Sequence, residues 1–300
     1  MLGILLYVVL SIVDQSINPD PMTLDTGDTP DNVIPPAIRT RTDLELALKG
    51  KAIDLDAELQ SSADWYQQRG FLGSLPVYGR MEESTLQQVY ADAAVSDLLQ
   101  LAGSGDIAAA QALAELSMSS DNNDPVEAID WYRQAASYGS VYAMFRISEL
   151  LQIFSNRELD VFNSDALYAD RLNELRTNNP LMDRDALAWA ITGVLAGGLP
   201  VAQPAIVDSI TAMATILGEG GTVRACDKAN RLLLDLAAER RSRDRLVFAT
   251  APPPLFVSAP NLRAAIPCEA TAVPIIDSSA CEAVSVPGLV NPNQTLWRCE

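Results

Sequence analysis

The chain has 300 residues, 48% hydrophobic and 20% charged, enough apolar surface to bury a sizeable core and too much for disorder throughout. A formal net charge of −18 repels phosphate backbones and anionic lipid headgroups, which sets nucleic-acid partners aside. The chain has no histidine, which excludes Ser-His and Cys-His nucleophile systems and His-ligated zinc; an enzymatic reading must rest on carboxylates, Lys, Tyr or Cys.

Residues 1–13 form an apolar segment, Leu2 to Val13, too short for the roughly 20 residues that span a bilayer. Three readings stay open: an atypical signal sequence, the end of a membrane anchor whose start lies upstream, or the buried first element of a domain. Residues 14–41 carry Pro19, Pro21, Pro30, Pro35 and Pro36 among Asp20, Asp25, Asp28 and Asp31, the composition of an extended, self-repelling linker. An apolar start followed by a tether reads as a domain held off a membrane surface, on the periplasmic or extracellular side of a cell envelope.

A helical domain is predicted over residues 42–248. Thr42-x-x-Glu45 is a capping box ahead of Leu44, Leu46 and Leu48, and a second helix runs from Leu55 to Arg69 and stops at Gly70. It contains Trp65, with Gly73 at an interval of 73 − 65 = 8 residues. From Glu82 to Leu101, Leu86, Val89, Ala93, Leu98 and Leu101 recur at helical spacing. The Gly103-Ser104-Gly105 that follows lacks the flanks of a nucleophile elbow or a phosphate loop and reads as a helix terminus.

The next stretch repeats. Gly105-Asp106-Ile107 followed by Ala109 returns as Gly139-Ser140-Val141 followed by Ala143, at 139 − 105 = 34 residues, a period of stacked helical repeats. Helix A spans Asp106 to Met118. Helix B spans Pro125 to Ser137, with Asp124 as N-cap, Pro125 at the first helical position and Glu127 at the third. On helix B, Ala128, Trp131 or Tyr132, and Ala135 share a face, placing a large ring between small residues as a knob between helices.

The run Ala128-x-x-Trp131-Tyr132-Arg133-Gln134-Ala135-Ala136-x-x-Gly139, followed by a small-residue helix, resembles the Sel-one-like repeat family, a relative of the tetratricopeptide α-solenoids. The resemblance covers about residues 105–150. It implies an all-α fold, a right-handed solenoid of stacked antiparallel helix pairs that holds a segment of a protein partner in its groove; for this chain no enzymatic activity, metal or cofactor is expected. It gives Ala128, Trp131, Tyr132, Ala135 and Gly139 packing roles, and extends them to Trp189 and Gly197 of a degenerate unit with the same interval, 197 − 189 = 8. Polar residues on helix A faces, Gln111, Glu115 and Arg146, are the candidates for partner contact.

Between the units an additional helix is predicted from Asp165 to Arg176, capped by Ser164. Helices Ala202 to Leu217 and Arg224 to Arg240 finish the stack, split by Gly218-Glu219-Gly220-Gly221, a turn without the Lys-Ser/Thr of a phosphate loop. The cations Arg240, Arg241, Arg243 and Arg245 complement the negative end of the last helix.

Residues 249–300 lose the helical period and read as an extended cap on the last helices, with Pro252, Pro253 and Pro254 followed by Cys268, Cys281 and Cys299. With Cys226 the count is four, which suits two disulfides in three possible connectivities in an oxidising compartment, against four free thiols in a cytosolic chain. Asn293-Gln294-Thr295 is a glycosylation sequon too short to use alone.

The expected function is a non-enzymatic adaptor of the cell envelope, tethered to a membrane through residues 2–13 or secreted. Two alternatives stand beside it. One is a permanent structural subunit of an envelope complex. The other is a carboxylate-dependent hydrolase of cell-wall material using Asp54, Asp56 and Glu58 or Glu82 and Glu83, although helix dipoles already account for acidic residues at helix starts.

Overall fold

A computed structural model describes residues 44–45, 48–49, 53–72, 90, 93–119, 124–156, 166–178, 180–243, 251–259, 268, 280–284 and 295–299. The apolar segment 1–13, the linker 14–41, Thr42, Gly73, Glu82, Glu83, Ser164, Arg245 and Asn293 lie outside the described residues.

Eight helices account for most of the described chain. They are α1 (Leu55–Gln67), α2 (Val95–Ser104), α3 (Ile107–Ser117), α4 (Pro125–Tyr138), α5 (Val141–Ser155), α6 (Ala166–Asn178), α7 (Met182–Gly197) and α8 (Pro204–Ser242). A 3₁₀ turn, Leu199–Val201, joins α7 to α8. Among the described residues, no helix is long and apolar enough to cross a membrane.

Local chemistry sets most of the helix ends. Asp54 caps α1 by accepting from the Ala57 N–H, Asp106 caps α3 through Ala109, Asp124 caps α4 through Val126 and Glu127, and Ser140 caps α5 through Ala143. Gly105 and Gly139 close α2 and α4 at φ of 94° and 109°, a left-handed conformation that costs glycine little. Thus the two ends of the 34-residue interval carry the same junction, a left-handed glycine and then a side chain capping the next helix.

The helices pack mainly on their neighbours in the chain: α2 on α3, α3 on α4, α4 on α5, α5 on α7 and α7 on α8, with α6 against α4. Small residues allow the close approaches. A Cβ at Gly193 of α7 would stand 2.7 Å from the ring of Phe145 on α5, so these two backbones meet across a ring and a bare Cα. Ile147, Leu151, Leu187 and Ile191, all almost fully enclosed, form the centre of the core at that interface. Asp185 ties α7 to α8 through Lys228 at 2.7 Å.

Three predicted boundaries move. The helix expected over Glu82 to Leu101 is not helical at Tyr90, Ala93 or Ala94; within its described part it runs from Val95, where Asp97 in the first turn favours an N-terminus, and residues 82–89 lie outside the described residues. Tyr90 donates instead to the Asp106 carboxylate at 3.0 Å, a tertiary contact that local periodicity does not register. The four-residue break in the last helix shrinks to one residue, Gly218, at φ 64° and ψ 178°.

The third change is larger. The C-terminal cap, expected to be irregular, contains a three-stranded antiparallel sheet in the order β1-β3-β2, from β1 (Leu255–Ser258), β2 (Cys281–Val284) and β3 (Thr295–Cys299). β1 is wholly buried and lies against α1, where the Leu255 N–H donates to Ser62 Oγ at 3.0 Å. Arg298 on β3 reaches Glu58 on α1 at 3.2 Å, and the Trp65 indole N–H donates to the Ala251 carbonyl at 2.7 Å. Trp297 stacks on Phe256 with ring centres 6.2 Å apart. The described residues are therefore mostly helical with one small sheet, compatible with the all-α class expected.

All four cysteines are in disulfides. Cys226 of α8 pairs with Cys268, and Cys281 pairs with Cys299 directly opposite it in the β2–β3 ladder. Two such bonds are consistent with an oxidising, extracytoplasmic location.

Candidate binding cleft

Helix α4 presents two chemically different faces, and adjacent rings divide between them. One turn away on either side of Tyr132 stand Ala128, Ile129, Ala135 and Ala136, all enclosed, and the Tyr132 side chain is buried among them. The same positions around Trp131 include Glu127 and Gln134, and Trp131 is only half-buried. Of the two rings, Tyr132 is the fully enclosed one. Trp131 packs against the core with part of its surface and walls a surface cleft with the rest.

That cleft is open to solvent and has a volume of about 600 Å³. Trp131 and Val126 give it an apolar wall, and Asp124, Glu127 and Asp130 line it with carboxylates. Gln134 closes one end, donating to the Ala102 carbonyl of α2 at 3.1 Å. Arg171 of α6 closes the other, 3.1 Å from Asp124 and 2.8 Å from Glu174. The Trp131 indole N–H donates to Glu127 Oε1 at 3.3 Å, which fixes the ring relative to the carboxylates. On the outer side Asp130 pairs with Arg133 at 3.1 Å.

On the inner side of α4 a second polar group forms around Tyr132. Its hydroxyl donates to Glu115 Oε1 on α3, and Arg146 Nε of α5 lies 3.5 Å from the same hydroxyl. Arg146 also lies 3.6 Å from Glu115 and 2.5 Å from Glu149. Burial pushes the Tyr132 phenol well above its ordinary range; the Arg146 charge opposes that shift and Glu115 adds to it. For Arg146, burial alone would lower its pKa, but Glu149, Tyr132, Tyr142 and Glu115 together hold it above its ordinary value.

Two of the three residues expected to contact a partner, Glu115 and Arg146, thus meet each other across α3 and α5. Arg146 is 7% exposed, so it stabilises the interior more than it meets solvent. Gln111 is corrected outright: it is fully enclosed and donates from Nε2 to the Gly70 carbonyl at 3.2 Å and to Ser140 Oγ at 2.6 Å. Helix A faces are covered because α3 is alanine-rich on every side and its neighbours close around it: Ala109, Ala110, Ala112 and Ala114 are all buried.

The remaining residues given packing roles are enclosed. Ala128 and Ala135 are fully enclosed, Trp189 is 5% exposed, and Gly197 sits where a Cβ would press on Val201 and Val141. At Gly139 the Arg240 guanidinium occupies the space a side chain would need and donates to the Tyr138 carbonyl. The carboxylates considered for hydrolysis do other work where they are described: Asp54 caps α1 and Glu58 pairs with Arg298. Among the described residues, no group of three or more Cys, Asp or Glu side chains is placed to hold a metal ion.

Helical periodicity alone does not separate Trp131 from Tyr132, so the cleft is not legible in it. The available signal was the company it keeps: Glu127, Asp130 and Gln134 surround it, while Tyr132 has only small and apolar neighbours. Compared with protein-family models, with curated proteins and with solved structures, the chain finds no match in any of the three.

Proposed function

We propose that this chain is a non-enzymatic scaffold of the cell envelope that holds a segment of a protein partner, built as a right-handed solenoid of stacked helix pairs akin to the Sel-one-like repeats. The observation that carries the reading is the open cleft on α4, where an aromatic wall and several carboxylates face solvent together. The recurrence of the glycine-and-cap junction at Gly105 and Gly139, and the mainly serial contacts from α2 to α5, support the repeat framework. The two disulfides support a location outside the cytoplasm, and the apolar residues 2–13 fit a chain that is secreted or tethered to a membrane.

The test is site-specific photocrosslinking in the native cells, with a photoreactive residue at Val126 or Gln134 in the cleft and, as control, at the exposed Asp208 of α8. A discrete adduct formed from the cleft and not from the control, and lost when Asp130→Asn is added to a folded chain, is the expected result. Adducts equal from both places, or none from the cleft, would sink the scaffold reading.

A further inference from the structure

The occupant of the cleft is constrained by its charge. Three carboxylates, Asp124, Glu127 and Asp130, line the cleft with one guanidinium, Arg171, and a second, Arg133, pairs with Asp130 from outside the lining, which leaves an acidic excess on a chain whose formal net charge is already −18. An acidic or phosphorylated segment would be repelled at both ranges. A purely apolar segment would leave Glu127 and Asp130 facing it across a desolvated contact. A cation has two favourable terms, Coulomb attraction to the carboxylates and attraction to the face of an indole.

The protein already demonstrates half of this arrangement with a group of its own. Arg171 is brought in by α6, sits at the rim against Asp124, and remains substantially exposed, with 43% of its side-chain surface free. It pairs with Asp124 and Glu174, whereas Glu127 accepts from the Trp131 indole and Asp130 pairs with Arg133, and both of these carboxylates are exposed to solvent. Val126 supplies apolar surface of the kind the methylene stem of a long basic side chain covers.

We propose that the cleft receives an arginine or lysine of an extended basic peptide segment, seated against Trp131 between Glu127 and Asp130, with Arg171 as the internal cation that this residue displaces or sits beside. This deepens the scaffold reading and rests on it. It names the partner by chemistry, a basic segment of a protein, and assigns Trp131 the recognition role.

The test uses the full, oxidised chain and three fluorescein-labelled peptides of equal length, one of Gly and Ser with two spaced arginines, one with glutamates in their place, and one uncharged. Fluorescence anisotropy should show binding of the arginine peptide alone, weakening as salt rises. Trp131→Ala, which leaves the net charge untouched, should weaken it roughly tenfold, and Asp130→Asn roughly three- to tenfold. Asp208→Asn, an equal charge change at an exposed position outside the cleft lining, should leave it unchanged. Arg171→Ala should tighten it roughly threefold by removing the resident competitor.

Circular dichroism establishes that each variant is folded; if Trp131→Ala is not, Glu127→Gln with Asp130→Asn keeps the ring and carries the same expectation. Equal affinity in Trp131→Ala, or equal loss in Asp208→Asn, means diffuse attraction to an acidic protein and overturns the proposal. A cleft that crosslinks a partner in cells while ignoring the basic peptide leaves the scaffold standing and the occupant wrong. Failure of both removes the scaffold itself.

Discussion

The Tyr132 hydroxyl donates to Glu115 and lies within reach of Arg146, so replacing it by hydrogen removes one member of a buried network while leaving the two charges in place. Tyr132→Phe should therefore lower stability by about 1–2 kcal/mol, read as a shift in urea midpoint at unchanged slope. Arg146→Met leaves Glu115 and Glu149 without their cation, but their side chains are 28% and 39% exposed and water relieves them. Its cost should be about 2–3 kcal/mol, below that of breaking a fully buried pair.

The same tyrosine makes an alkaline signature. Its folded pKa is raised, so the native state keeps the proton when the unfolded chain begins to lose it near pH 10. Unfolding then releases protons, and the stability that Tyr132 contributes is fully present below pH 10 and lost as pH rises toward the folded value. The slope is about 1.4 kcal/mol per pH unit for one such group. Stability profiles of the native chain and of Tyr132→Phe should accordingly converge above pH 10. Parallel profiles would show that the phenol is not held neutral by its surroundings.

Elements respond to backbone conformation as much as to space, as two glycines demonstrate. Neither Gly103 in α2 nor Gly218 in α8 has an atom within 4 Å of where a Cβ would stand. Gly103 is helical, so Gly103→Ala should stabilise by about 0.5–1 kcal/mol through helix propensity. Gly218 lies at φ 64° and ψ 178°, a region essentially confined to glycine, and Gly218→Ala should destabilise by about 1–3 kcal/mol. Thermal melts of the two variants should move in opposite directions. The helices that were legible in sequence owe it to the same locality. α3 and α4 lie within one residue of expectation because Asp106 and Asp124 bond to backbone a few residues away. The start of α2 was hidden because Tyr90 answers to Asp106, sixteen positions on. The strands were hidden because four or five residues are too few to establish a period of two against flanking prolines.

For the whole molecule, the cross-links hold what the small sheet alone does not. The Cys226–Cys268 bond spans 42 positions and the Cys281–Cys299 bond 18. On the chain-entropy account they contribute about 4 and about 3 kcal/mol, so reduction, or paired Cys→Ser replacement, should cost more for the first than for the second. Denaturation of the two double variants against the oxidised protein measures this. The even cysteine count foretold two bonds, but not their pairing, which depends on strand register and on where α8 passes. Likewise the residues of α4 were legible as a helix, while the cleft needed Arg171, brought from α6, before its shape existed.

The strand order β1-β3-β2 has one further consequence. The middle strand follows both of its neighbours in the chain, so during synthesis β1 and β2 emerge with no strand between them. Until β3 arrives, β1 can dock on α1 and on the 3₁₀ turn Leu199–Val201 but has no strand beside it, Cys281 has no partner thiol opposite it, and Glu58 waits for Arg298. The sheet is thereby completed by the last of its three strands to be made, and a chain released before that point carries an unclosed sheet and an unpaired thiol.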